Sequence, residues 1–143
     1  MNTSFAIIGC GRIAERHAEQ IARHGNLVAV CDIIPEKANA MADRYHARAY
    51  YSMEEMLAQE TGLQVVSICT PNGLHATHAI KVLEAGSHVL CEKPLCIQVE
   101  DGLKMIDAAK KAGKKLFVVK QNRYNPPVVF LKDLIRTKKL GAI

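Results

Sequence analysis

The sequence predicts an α/β fold: a doubly wound, parallel six-stranded sheet with helices on both faces. Three observations carry this. Short apolar, β-rich runs alternate with helical patterns from one end of the 143-residue chain to the other. The strand runs are nearly continuous in apolar residues, as strands buried on both faces require, whereas a half-wet antiparallel sheet would alternate. Helical stretches separate the strands, as right-handed crossovers between parallel neighbours demand.

In order, "FAIIG" and "LVAVCD" read as strands one and two, "ARAY" as a weak third, "LQVVSICT" as a strong fourth, "SHVLCE" as a fifth and "KKLFVVK" as a sixth. Ile13, Ala14, His17, Ala18 and Ile21 form one helical stripe, and Ala38, Met41, Ala42 and Tyr45 form a second. Ser52 with Glu55 predicts a capping box opening a short third helix. Gly86 is placed to close the helix through Ile80 and Leu83, and Gly113 to close one holding Leu103, Met105, Ile106 and Ala109. The end, "QNRYNPPVVFLKDLIRTKKLGAI", predicts a Pro-Pro loop, one amphipathic helix to about Leu140, and an apolar Ala-Ile beginning beyond it.

Composition bounds the function. With 49% hydrophobic and 23% charged residues the chain reads as soluble and globular. No apolar run approaches the roughly 18 residues of a membrane span, and the N-terminus lacks a secretory signal, so a cytoplasmic protein with no membrane partner is expected. Five cysteines without a C-x-x-C predict reduced thiols rather than a disulfide framework. The net charge of +5 is local: residues 1–100 carry 8 basic and 11 acidic side chains, residues 101–143 carry 11 and 3. Nucleic acid is not expected as a partner, because the basic end offers only Phe117, Tyr124 and Phe130 for stacking. Lys110, Lys111, Lys114 and Lys115 more simply complement the negative end of a helix dipole.

The first chemical motif, "GCGRIA", lies between strand one and helix one. Gly9 permits the turn, Gly11 allows backbone to approach a pyrophosphate, and Ala14 lets the helix pack closely. The backbone of Gly11, Arg12 and Ile13 would face the anion at the helix end. Twenty-one residues after Gly11, Asp32 ends strand two at the spacing of a carboxylate that accepts from adenosine ribose hydroxyls. The same residue could merely cap the next turn, but the features in register predict a dinucleotide-binding domain of the Rossmann type over residues 1–120. Asp32 opposes a 2′-phosphate, and Ile33, Ile34 and Pro35 offer adenine an apolar wall, so NAD is favoured over NADP; Lys37 and Arg44 keep the alternative open.

Strand four delivers "CTPNGLHATH" to the same sheet edge, where open α/β folds bind ligands. Thr70, Pro71 and Asn72 would border the cofactor, although a helix N-cap at Thr70 or Asn72 fits the spacing equally. His75 and His78, with Cys69 and Cys91 nearby, do not make a zinc site, because the cysteines sit on buried strands, and no metal is expected. Strand five ends in Glu92-Lys93-Pro94. A lysine there is ordinarily a snorkelling surface group, but beside a nicotinamide it could hydrogen-bond or deprotonate a substrate hydroxyl. Proline would stiffen the strand exit, with a cis Lys93-Pro94 bond as one route.

"AIIGCGRIAERH", "VAVCD", "VSICTPNGLHATHAIKVLEAGSHVLCEKPL" and the arginine of "KQNRYNP" together resemble the cofactor domain of the glucose–fructose oxidoreductase/inositol dehydrogenase (Gfo/Idh/MocA) family, across essentially the whole chain. The resemblance implies NAD(P)-dependent oxidation or reduction of a sugar or cyclitol hydroxyl. Lys93 matches the family's active-site lysine, Arg123 its arginine near the nicotinamide, and the T-P-N-x-x-H motif implies that His75 joins Thr70, Pro71 and Asn72 at the cofactor. Glu92 would support the lysine or the nicotinamide ribose. "KQNRYNPPV" is similar to members in surface-polysaccharide loci that act on nucleotide-linked sugar acids. The family also carries a second domain with further acid–base residues and the oligomer interface. Residues 121–143 are therefore expected to be a loop and helix leading to an absent C-terminal domain, the present chain to bind NAD weakly and turn over no sugar, and the longer enzyme to form a homo-oligomer. A dinucleotide-binding regulatory module, or a Rossmann dehydrogenase for amino-acid-derived substrates, would account for the glycines and Asp32 but not for Glu92-Lys93-Pro94.

Overall fold

The computed structural model describes residues 2–139 and 141. Its parallel strands are β1 (Ser4–Ile8), β2 (Asn26–Cys31), β3 (Arg48–Tyr50), β4 (Val65–Ile68), β5 (His88–Cys91) and β6 (Leu116–Val118). They lie side by side in the order β3-β2-β1-β4-β5-β6. The chain winds outward from β1 in one direction and from β4 in the other, which opens a crevice beyond the carboxyl ends of β1 and β4.

The helices are α1 (Arg12–His24), α2 (Pro35–Tyr45), α3 (Met53–Gln59), α4 (His75–Glu84), α5 (Val99–Ala112) and α6 (Pro126–Arg136). Strand alternation sorts the core into two layers. Ile7 and Val30 pack with Ala14, Ala18 and Ile21 of α1 and Met41 of α2, while Ala6, Ile8, Val66 and Ile68 pack with Met56 of α3, Leu83 of α4 and Met105 of α5. Fully buried side chains such as Ile7 and Leu83 each contribute on the order of 2 kcal/mol. Ala14 and Ala18, both without exposure, let α1 sit low on the sheet and bring its first turn to the crevice.

Several predicted details differ. Ile13 is 39% exposed and faces the crevice rather than the core, because it lies in the first turn of α1, beyond the strand ends. Leu103 and Ile106 are exposed; α5 docks instead through Gly102, Met105, Ala108 and Ala109. A Cβ on Gly102 would stand 2.9 Å from Cys96 Sγ, so close approach, not large apolar bulk, decides which face turns inward. Only half of the capping box forms: Ser52 Oγ accepts the Glu55 N–H at 3.3 Å, but the Glu55 carboxylate takes Gln59 Nε2. The two prolines are not a loop; they open α6, where the missing N–H costs nothing. That helix ends at Arg136 and buries no residue, and the predicted end at Leu140 and the Ala142-Ile143 start lie outside the described residues. The weak third strand does form, held at its edge by Glu60, whose carboxylate pairs with Arg48 and accepts the Tyr50 hydroxyl at 2.7 Å.

Candidate dinucleotide and substrate cleft

The glycine turn is built as its residue types require. Gly9 has φ of +90°, and its N–H donates to Cys31 O at 2.7 Å. A Cβ there would lie 2.8 Å from backbone atoms of Cys69 and Thr70, so the turn is pressed against the end of β4 and admits no side chain. Gly11 caps α1 in an extended conformation, and a Cβ at that position would meet nothing within 4 Å. No side chain caps the helix there, so its first amides face an open concavity, which fits a phosphate.

Asp32 stands at the tip of β2. Its Oδ2 accepts the Cys10 N–H at 2.8 Å and its Oδ1 the Ile34 N–H at 2.9 Å. Both readings of this residue therefore meet in one side chain: it caps its own turn and anchors the glycine loop. An ionised carboxylate has about four acceptor positions, so these two bonds leave room for a ribose diol. Beside it is a cavity of about 360 Å³ whose lining includes Gly9, Asp32, Ile33, Thr70, Pro71 and His78. Ile33 is 87% exposed and forms its apolar rim. Arg44, the possible partner for a 2′-phosphate, is engaged elsewhere: it pairs with Glu15 at 2.6 Å, and Tyr45 donates to the same oxygen.

A second cavity, about 630 Å³, is lined by Arg12, Ile13, Arg16, Thr70, Asn72, His75, Glu92 and Lys93. Thr70, at the end of β4, borders both spaces. His75 is essentially buried, with Nδ1 2.7 Å from Pro94 O and Nε2 2.8 Å from Thr70 O. A neutral ring donates through one nitrogen only, to Pro94 O or to Thr70 O, and the buried side chain packs the loop after β4 against the loop after β5 rather than reaching into open space. The Lys93-Pro94 bond is cis. His78 lies 3.1 Å from the Thr70 hydroxyl, and burial, assisted by the charge of Lys81, pushes its ring below the usual histidine range.

Asp32, the glycine turn and Lys93 are thus brought to one sheet edge. Arg123 follows the parallel strand β6 on the exposed turn Gln121–Tyr124; Gln121 of that turn borders a cavity of about 480 Å³ together with Lys93, while Arg123 itself lines none of these cavities. One participant was missed in the sequence. His17, read as part of a core stripe, is bonded to Glu92 through Nε2 at 3.0 Å. A histidine among Ala14, Ala18 and Ile21 is a buried polar group in need of a partner, and that was the available signal.

An open concavity at a helix start, an acidic strand tip and a neighbouring strand end carrying Lys93 have the arrangement of a dinucleotide-binding Rossmann domain. The chain belongs to the Gfo/Idh/MocA family: the family model described as "Oxidoreductase family, NAD-binding Rossmann fold" matches residues 3–120. Over 141 residues the chain is 35% identical to the D-glucoside 3-dehydrogenase of Escherichia coli, covering 96% of itself and 40% of that protein. It is 33% identical to the inositol 2-dehydrogenase of Salmonella typhimurium, covering 99% of itself and 44% of the relative. Among solved structures, the WlbA dehydrogenase of Chromobacterium violaceum in complex with NADH and UDP-GlcNAcA superposes with a TM-score of 0.92 at 46% identity, over 98% of this chain and 41% of that one. The WlbA dehydrogenase of Bordetella pertussis, with the same two ligands, gives 0.94 at 39% identity, over 100% and 45%. The chain therefore spans less than half the length of these relatives.

Proposed function

We propose that this chain is the cofactor-binding part of an NAD-dependent dehydrogenase acting on a hydroxyl of a sugar, with a nucleotide-linked sugar acid as the first substrate class to test. The observation that carries this reading is the convergence of the glycine turn, Asp32 and Lys93 on one cleft edge. The likeness to two WlbA dehydrogenases crystallised with NADH and UDP-GlcNAcA supports the substrate class. Further sugar contacts, a second acid–base group and any oligomer interface are assigned to the length of the relatives that this chain does not span. A cytoplasmic location is part of this proposal. Among the described residues no helix is long and apolar enough to cross a membrane.

When bound, the nicotinamide supplies the hydride-accepting carbon. The first amides of α1, at Arg12 and Ile13, hold the pyrophosphate, and Asp32 accepts from the adenosine ribose. Thr70, Pro71 and Asn72 form the wall between the two cavities, and His75 fixes that wall from below. Lys93 hydrogen-bonds the substrate hydroxyl and takes or returns its proton, while Glu92 holds the Lys93 backbone. Arg123, exposed on the turn whose Gln121 borders a cavity with Lys93, is the cation proposed near the nicotinamide.

The test has two stages. Titration with NADH and NADPH, followed by nicotinamide fluorescence, should show saturable binding with NADH preferred. The complete gene product should then reduce NAD in the presence of a UDP-linked hexuronic acid. A preference for NADPH would remove the role given to Asp32, and failure with every free or nucleotide-linked sugar would remove the dehydrogenase assignment.

A further inference from the structure

His17 and Glu92 form a nearly buried pair beneath the cleft: Nε2 and Oε1 are 3.0 Å apart, and the side chains are 9% and 8% exposed. The second carboxylate oxygen, Oε2, accepts the backbone N–H of Lys93 at 3.0 Å. A continuous set of contacts thus runs from α1 through one carboxylate into the backbone that carries the reacting amine. α1 is also the helix whose first turn frames the phosphate concavity, and His17 lies about a turn and a half along it from Gly11.

A carboxylate so little exposed must be paired. Its own neighbour, the Lys93 ammonium, was one available partner, and the exposed Arg16 was another. Glu92 is bonded to His17 instead, and among the described residues no carboxylate forms an ion pair with Lys93. Lys93 lines both the 630 Å³ cavity and a neighbouring, more apolar one of about 480 Å³ that His17 itself borders.

Resting on the oxidoreductase reading above, we propose that His17 is a positioning residue: by holding Glu92 it locks the Lys93 backbone to α1, so that the amine and the dinucleotide cradle form one rigid unit. His17 touches neither cofactor nor substrate in this scheme and acts only through Glu92. The link predicts a separation of effects. Cofactor affinity resides in the first turn of α1 and at Asp32, which loss of His17 leaves in place. Turnover depends on where the amine sits, and a displacement of about 1 Å at a reacting group costs on the order of 10²-fold.

The experiment uses His17→Phe, which removes the donor, His17→Asn, which is polar but too short to reach, and His17→Gln, whose amide can still donate to Glu92. Three readouts are taken: the Lys93 amide resonance in ¹H–¹⁵N spectra, NADH affinity by fluorescence, and kcat and KM of the complete gene product. The Phe and Asn variants should move the Lys93 resonance and lower kcat roughly 10²-fold. Their NADH affinity should stay within about threefold, well under the tenfold that 1.4 kcal/mol represents. The Gln variant should restore the resonance and most of kcat. If Phe does not fold, Asn carries the same test. An unmoved Lys93 resonance in a folded Phe or Asn variant, or NADH affinity falling in step with kcat, overturns the proposal. Absence of turnover in the unmutated enzyme instead counts against the dehydrogenase reading, and the amide resonance still decides the link.

Discussion

Asp32 accepts the backbone N–H of Cys10 at 2.8 Å, so the acidic tip of β2 and the middle of the glycine turn are one bonded unit. The residue expected to recognise ribose also shapes the loop expected to hold phosphate. Asp32→Asn should therefore reduce NADH affinity by about tenfold or more and cost roughly 1–3 kcal/mol of stability, because its amide group cannot accept from both Cys10 and Ile34. Fluorescence titration and urea unfolding read the two effects separately. The ratio of NADPH to NADH affinity should rise as the charge is removed.

Gly9→Ala is expected to destabilise the fold by about 2 kcal/mol or more. The added methyl would meet the Cys69 and Thr70 backbone at 2.8 Å, at a φ of +90° that L-residues rarely adopt. Gly11→Ala has open space and should leave the thermal midpoint nearly unchanged while weakening NADH binding. Thermal melts of the two variants side by side test this contrast.

His78 should impose a pH dependence on stability. Its folded-state value lies below the ordinary value of about 6.5, through burial first and the Lys81 charge second. As pH falls through 6.5 the unfolded chain takes up the proton before the folded one does. Stability should therefore decline below about pH 6.5 until the folded ring also protonates, and be flat with respect to this group above it. Urea midpoints between pH 7.5 and 5, roughly the window set by that value, should show a shallower slope in His78→Gln than in the unmutated chain.

Glu60 has the opposite sense. Its carboxyl is held below the usual range, chiefly by the hydrogen bond from Arg48 and further by Tyr50, against the burial that opposes it. Its contribution is present above the ordinary carboxyl value and is lost as pH falls below about 4.5 toward the lowered one. Glu60→Ala should cost about 1–3 kcal/mol at neutral pH, since the Tyr50 hydroxyl loses its acceptor and the short β3 edge its anchor. Amide exchange in Arg48–Tyr50 should accelerate most.

Thiol chemistry should single out Cys96. Cys10, Cys31, Cys69 and Cys91 are buried, and desolvation first, then neighbouring carboxylates, pushes Cys10 and Cys91 up to about 12 and Cys31 to about 11. Cys69 is pushed up as well. Cys96 alone is partly exposed, so mass spectrometry after brief iodoacetamide treatment at about pH 8 should find it modified first.

Strand runs and glycine spacing were readable along the chain because both are local: a buried parallel strand needs unbroken apolar residues, and a tight strand-to-helix turn needs a residue without Cβ. That is why Gly9, Asp32 and Lys93 could be named in advance at the cleft. The inward face of α5 could not, because Gly102, Ala108 and Ala109 look weaker than Leu103 and Ile106 until a neighbour packs within touching distance. Nor could the opening of α6 at its prolines be separated from a loop by composition alone.

By itself the sequence determined the order of strands and helices, the glycine turn and the residue types at each strand tip, since propensity and periodicity act over a few positions. The tertiary structure alone decided which distant groups meet: His17 with Glu92, His75 with Pro94 and Thr70, Asp32 with Cys10. Those pairings join residues up to 75 positions apart. A polar side chain withdrawn from water must bond whatever the packed strands and helices bring within about 3 Å, and that neighbour is a property of the folded chain.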